Sequence, residues 1–131
     1  MFNDIKIYTG YFANQKKYAG AFPVSIALTS PDWFHGANYR KFNPEWSYMH
    51  DSIEDYTAKF NAYLSQLDPA ECYKELKKLS KGKDVVLLCH EKEGDFCHRH
   101  LVARWLQVNL HITVKELGRA GLDPIPTLFD I

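Results

Sequence analysis

The side chains best equipped for chemistry lie close together in the chain: Cys89, Glu91, Cys97, His98, Arg99 and His100. From about Phe96 to Val108 the apolar residues Leu101, Val102, Trp105 and Leu106 recur at helical spacing, so Cys97 to His100 open a helix. The first turn of a helix has unpaired N–H groups and the positive end of the dipole, and it favours an anion. Asp or Glu is common there. Arg99 and two histidines in that turn cost stability unless an anion is bound. This points to an anionic ligand held by Arg99, His98 and the backbone.

Glu91 lies two residues past a buried strand and suits an acid, base or electrostatic stabiliser; a solvated loop charge is the alternative. For Arg99 the alternative is an ion pair with Glu91, Glu93 or Asp95. Cys97, at a helix start beside His98, is expected to have a lowered thiol pKa and to be a candidate nucleophile. Free cysteine is otherwise most often a small buried residue, the role expected of Cys72 on its helical stripe. Cys89, Glu91, Cys97 and His98 are potential metal ligands, yet they lack the paired spacing of structural zinc sites. Neighbouring side chains on a helix also point about 100° apart, so Cys97 and His98 are expected to converge poorly and no metal is expected. Neither a P-loop nor a Gly-x-Gly-x-x-Gly fingerprint occurs, and no cofactor is expected. A Cys-x5-Arg phosphatase loop is absent too.

Other elements must position these groups. Ile5 to Tyr8 alternates as a first strand, ended by Thr9-Gly10. Pro23 to Leu28 reads as a second strand, with proline at its start. Asp51 and Glu54 resemble a capping box before a helix whose apolar face is Ile53, Tyr56, Phe60, Tyr63, Leu64 and Leu67. Asp68-Pro69 starts another helix, striped by Cys72, Tyr73, Leu76 and Leu79 and stopped by Gly82. Asp84 to Cys89 is a continuous apolar run suited to a strand buried on both faces. Ile112-Thr113-Val114 reads as the last strand. Strands alternating with helices imply an α/β fold with a parallel sheet covered by helices. Such sheets bind ligands beyond the carboxyl ends of their strands. Those ends nominate Thr9, Tyr11 and Phe12, then Ser25, then Cys89 as ligand contacts beside His98 and Arg99. The long loop 29–50 carries Trp33, Phe34, Tyr39, Trp46 and Tyr48, which suit stacking on a base or a satellite core. His35-Gly36 is a candidate hinge within it.

At 131 residues the chain has the size of one domain, taken as 1–131. Sixteen basic and sixteen acidic side chains cancel, which excludes a generic polycation that grips DNA by charge alone. Three cysteines are too few and too odd for a disulfide framework, which favours a reducing, cytoplasmic setting. No apolar run approaches the ~20 residues of a membrane span, and neither a signal core nor a lipidation signal is read. A soluble intracellular protein without a membrane partner is expected; its oligomeric state is not fixed by the sequence.

The block Leu87-Leu88-Cys89-His90-Glu91 through Cys97-His98-Arg99-His100-Leu101-Val102-Ala103 resembles the DUF488 family, whose pattern is Cys-x-Glu, a short loop, then Cys-His-Arg-x-Leu-Val-Ala. Ile7 to Ala13, Val24 to Ala27, Pro31 to Phe34 and Tyr39 are similar to the family's early segments, so the likeness spans about residues 5–108. The resemblance implies a Rossmann-like three-layer sandwich with a small, mostly parallel sheet flanked by helices, of a kind common in bacteria and their viruses. It implies little chemistry. The leading expectation is therefore a protein that binds a phosphorylated nucleotide-like molecule or a nucleic-acid end in the strand-end crevice. Arg99 and the helix start would hold phosphate, and Tyr11, Phe12 and the aromatic loop the base. Glu91 would be the acid/base group for hydrolysis or N-glycosidic cleavage. The alternatives are a non-enzymatic module that sequesters a nucleotide or blocks a partner protein, and a thiol or metal protein using Cys89 and Cys97.

Overall fold

The computed structural model describes residues 4–13, 20–91, 96–117 and 124–125. Six strands form one sheet: β1 (Ile7–Tyr11), β2 (Phe22–Ser25), β3 (Ala37–Asn38), β4 (Val85–Cys89), β5 (Val114–Leu117) and β6 (Pro124–Ile125). Their order is β3-β2-β4-β1-β5-β6. All neighbours are parallel except β5 and β6. Helices α1 (Ile53–Leu64), α2 (Pro69–Leu79) and α3 (His98–Leu110) flank the sheet. This is the expected α/β class with a mostly parallel sheet.

β4 lies between β2 and β1 because every one of its side chains is apolar enough to be buried, and all are. Val85 and Leu87 join the cluster packed by α1, α2 and α3; Val86 and Leu88 join the opposite one, with Phe12, Ala27 and Leu117. A central strand with two apolar faces thus fixes which end of the sheet Cys89 reaches. Among the described residues no helix is long and apolar enough to cross a membrane.

Local signals set the helices with small shifts. Ser52, not Asp51, caps α1, its Oγ accepting from the Asp55 N–H at 3.1 Å. Tyr56, Phe60 and Leu64 then form the buried face, while Ile53 is left 60% exposed. Asp68 caps α2 as expected, accepting from the N–H groups of Ala70 and Glu71. Gly82, at φ +85°, closes that helix by donating to the Lys77 carbonyl. Gly10 does not end β1. The strand runs on to Tyr11, because pairing with Leu88 and Cys89 of β4 continues past the glycine.

The aromatic loop is built around β3 and short 3-10 turns at Arg40–Phe42 and Trp46–Tyr48. Tyr39, Phe42 and Tyr48 are buried, whereas Trp33 and Trp46 stand 51% and 69% exposed. At Gly36, in the candidate hinge, a Cβ would run into the Pro23 carbonyl oxygen and the Phe34 ring, so glycine is required by close packing.

Candidate functional site

β4 ends at Cys89, and α3 begins after Cys97, which occupies its N-cap position. The strand end and the helix start bring the two sulfurs together as a disulfide, with Cα atoms 7.5 Å apart. Cys72 is the free cysteine and is buried, as its stripe predicts. The disulfide corrects the expectation of a free Cys97 thiol, because a sulfur held in a disulfide does not titrate. Only the reduced form can offer a nucleophile. A second correction concerns convergence. Cys97 has extended backbone (φ −153°, ψ 143°) and lies outside the helical turn, so the 100° rule between helical neighbours does not apply to it. Cys97 Sγ stands 3.8 Å from His98 Nδ1, and the ligand atoms of Cys89, Cys97 and His98 all fall within 4.8 Å of one another.

Arg99, expected to clamp a phosphate, is fully buried, and its guanidinium faces partners within the protein. Its Nε and Nη2 donate to the Glu116 carboxylate of β5, at 3.0 and 2.7 Å for the closest contacts. Thr9 is also buried, its hydroxyl donating to the same carboxylate at 2.6 Å. Register explains the trio: Thr9 and Glu116 are paired neighbours on β1 and β5, directly beneath the first turn of α3. The anion demanded by the cationic helix start is therefore the protein's own Glu116. The ion pairs weighed from sequence named Glu91, Glu93 and Asp95. Read from the sequence, the last strand ends at Val114, whereas β5 runs from Val114 to Leu117 and so carries Glu116. Continuing the alternation from Val114 would have placed Glu116 inward, and an inward carboxylate needs a cationic partner.

The remaining guanidinium nitrogen faces the chemistry. Arg99 Nη1 donates to Cys89 Sγ at 3.2 Å and to the Glu91 carbonyl at 2.7 Å. One cation thus ties β5, the end of β4 and Glu91, two residues beyond it, to the start of α3. A guanidinium beside a sulfur stabilises the thiolate once the disulfide is reduced.

A cleft of about 240 Å³ opens over the two cysteines, beyond the carboxyl ends of β2 and β4. Its floor is Cys89, Cys97 and His98; Tyr56, Phe96 and Trp46 give aromatic walls; Asp51 and Glu91 give acidic groups. Among the described residues, its lining has neither arginine nor lysine. Of the residues nominated from sequence, the fold brings Cys89, Glu91, Cys97 and His98 to this cleft. Tyr11 is buried, and Phe12 is buried against Trp33, Phe34 and His90. Ser25 is buried too, its oxygen accepting from Ser30 Oγ and the Ala27 N–H. None of Thr9, Tyr11, Phe12, Ser25 and Arg99 lines the cleft. Sequence reasoning missed Tyr56, whose helical periodicity marked it simply as core.

His98 is held in one tautomer. Its Nε2 stands 2.6 Å from the Ile26 carbonyl oxygen, which can only accept, so Nε2 carries the proton and Nδ1 has a lone pair aimed at the sulfurs. Burial, followed by the nearby Arg99 and His100 charges, pushes its pKa down to about 4, against a raising contribution from the Ile26 hydrogen bond. His100 is buried and also pushed down, first by burial and then by Arg99. Among the described residues, neither of its ring nitrogens has a hydrogen-bond partner.

The family profile DUF488-N3a, described as the active DUF488-N3 subclade, matches residues 16–110. No curated protein and no solved structure matches the chain.

Two outcomes follow from this geometry. Glu116→Gln keeps the shape but leaves Arg99 buried without its counter-charge, and should cost about 3–5 kcal/mol in urea unfolding; a loss below about 1 kcal/mol would contradict the pairing. Folded His98 also refuses a proton that the unfolded chain accepts between its ordinary 6.5 and about 4. Stability is therefore complete above pH 6.5 and falls with pH at up to about 1.4 kcal/mol per unit, roughly 2 kcal/mol by pH 5. His100 adds to the same slope. Unfolding curves at pH 7 and 5 should show a smaller difference for His98→Gln than for the wild type; equal differences would rule out the buried neutral ring.

Proposed function

Since the chain belongs to the DUF488 family, in a subclade described as active, we propose that it is an enzyme whose reduced Cys89 thiolate adds to an electrophilic ring carbon of a small nucleobase or nucleoside-type ligand. The C–S bond forms as the ring double bond opens, and its electron pair takes a proton delivered at Glu91. The observation that carries this reading is the Arg99 Nη1 donor on Cys89 Sγ, at the floor of a cleft. A buried guanidinium aimed at sulfur favours the ionised thiol, and the ionised thiol is the reactive form. Cys97 is the partner thiol that closes the disulfide in the oxidised form.

The ligand class follows from the walls. Trp46, Tyr56 and Phe96 offer flat faces around a space of about 240 Å³, below the roughly 300–1,000 Å³ of sites for drug-sized molecules. One ring system with a modest substituent fits. Asp51 and Glu91 on the lining disfavour a phosphate there, so the ligand proposed is a ring system without a phosphate. Glu91, exposed at the cleft, is placed to move a proton to or from the ligand.

A second reading keeps the same ligand but gives the chemistry to Glu91, as N-glycosidic hydrolysis without the thiol. A panel of nucleobases, nucleosides and nucleotides, assayed with the reduced protein, separates the two. Turnover should fall by at least about a thousandfold in Cys89→Ser. Undiminished turnover in Cys89→Ser with loss in Glu91→Gln would give the reaction to Glu91. Ligand binding without turnover in the wild type would make the protein a sequestering module. Trp46→Ala should weaken ring binding by about 1–3 kcal/mol, read by calorimetry.

A further inference from the structure

We propose that in the dithiol state Cys89 Sγ, Cys97 Sγ and His98 Nδ1 form a three-ligand site for a thiophilic divalent cation of the zinc type, with its remaining position facing the cleft. This goes beyond the thiol chemistry above and does not depend on any turnover. While Cys89 Sγ ligates the cation it is withheld as a nucleophile, and the free thiolate of that reading belongs to the reduced, metal-free protein.

Several observations meet at this spot. The three donor atoms lie within 4.8 Å of one another, and all three residues are buried. Zinc held at about 2.3 Å from sulfur and about 2.0–2.1 Å from nitrogen, with tetrahedral angles, needs ligand atoms roughly 3.5–3.8 Å apart. The Cys97 Sγ to His98 Nδ1 separation, 3.8 Å, already has this value. The Cα atoms of Cys89 and Cys97 stand 7.5 Å apart, beyond the roughly 4.4–6.8 Å usual for a disulfide, and two thiolates spanned by an ion do not need a closer approach.

The groups behind the ligands fit a metal as well. A ligating histidine usually donates its other ring N–H to a carbonyl or carboxylate, which fixes the tautomer and turns the lone pair to the ion. His98 does this through Nε2 and the Ile26 carbonyl. The Arg99 Nη1–H on Cys89 Sγ supplies a donor to one thiolate. Two thiolates and one imidazole cancel the charge of a divalent cation, so the buried site stays neutral. Three protein ligands and an opening toward the cleft match a catalytic rather than a structural zinc arrangement.

Metal and disulfide exclude each other, because each uses the same sulfur electrons. Hydrogen peroxide can exchange one for the other. The two thiolates give up two electrons as the S–S bond forms, the peroxide O–O bond breaks, two protons complete two waters, and the cation leaves. The cleft would then hold its cation only under reducing conditions.

The test uses the full chain, reduced and desalted without chelator, and titrated with Co²⁺ as a spectroscopic stand-in and then with Zn²⁺. One equivalent should bind with a thiolate-to-cobalt charge-transfer band. Zn²⁺ should displace it, and one equivalent of peroxide should release the ion as two thiols disappear. The band should be lost in Cys89→Ser and Cys97→Ser, and affinity should fall at least tenfold in His98→Ala. Circular dichroism of each variant keeps a folding defect separate from a lost ligand. Reduced wild-type protein that shows free thiols but takes up no Co²⁺, or binding unchanged in folded His98→Ala, overturns the site. Either result leaves the Cys89 chemistry standing, since that reading is judged by turnover in Cys89→Ser.

Discussion

A buried guanidinium organises this molecule. Arg99 has no exposed surface, and its charge is balanced inside the protein by Glu116. Such a pair is expensive to desolvate and is weak grounds for stability by itself. What it provides is position. With Thr9 on the same carboxylate and Cys89 and the Glu91 carbonyl on the remaining nitrogen, Arg99 links β5, through it β1, and the end of β4 to one helix turn. The start of α3 can therefore occupy one place over the sheet.

That placement creates the cleft. Cys97 is the N-cap of α3, so fixing the helix fixes its sulfur beside Cys89 and puts His98 against the Ile26 carbonyl at the end of β2. Around this polar floor the chain supplies aromatic walls from α1, from the residue before Cys97 and from the long loop. The chemistry is concentrated in sulfur and imidazole, with carboxylates at Asp51 and Glu91. Among the described residues the cleft lining carries no arginine or lysine, and Arg99 lies in the interior.

Much of the fold was legible because it rests on local patterns. The unbroken apolar run before Cys89 marked a central strand, Asp68-Pro69 marked the start of α2, and Gly82 its end. The cationic start of α3 pointed to an anionic ligand, whereas the carboxylate on Arg99 in the structure is Glu116. Its identity was out of reach, because Glu116 meets Arg99 only through the parallel pairing of β5 with β1. Long-range register leaves no trace in local periodicity. Thr9, expected at a strand end, lies in the middle of β1 and gives its hydroxyl to buried Glu116, while Ser25 does end β2 but its oxygen accepts from the nearby Ala27 N–H and Ser30 hydroxyl. Cys97 and His98 converge although helical neighbours diverge, because Cys97 is an extended N-cap residue just outside the helix. In the loop, residue type could not separate Tyr39 and Tyr48, which became core, from Trp46, which stayed at the surface.

The central claim is that Arg99 sets the reactivity of Cys89, and the rate of iodoacetamide reaction with Cys89 against pH measures it most directly. In a reduced Cys97→Ser background, the rate should follow a thiol ionising below the ordinary ~8.5. In the same background, the Arg99→Leu, Glu116→Leu double variant, which removes both charges together, should move that midpoint upward by at least about one unit. A folded double variant with the same midpoint would contradict the account.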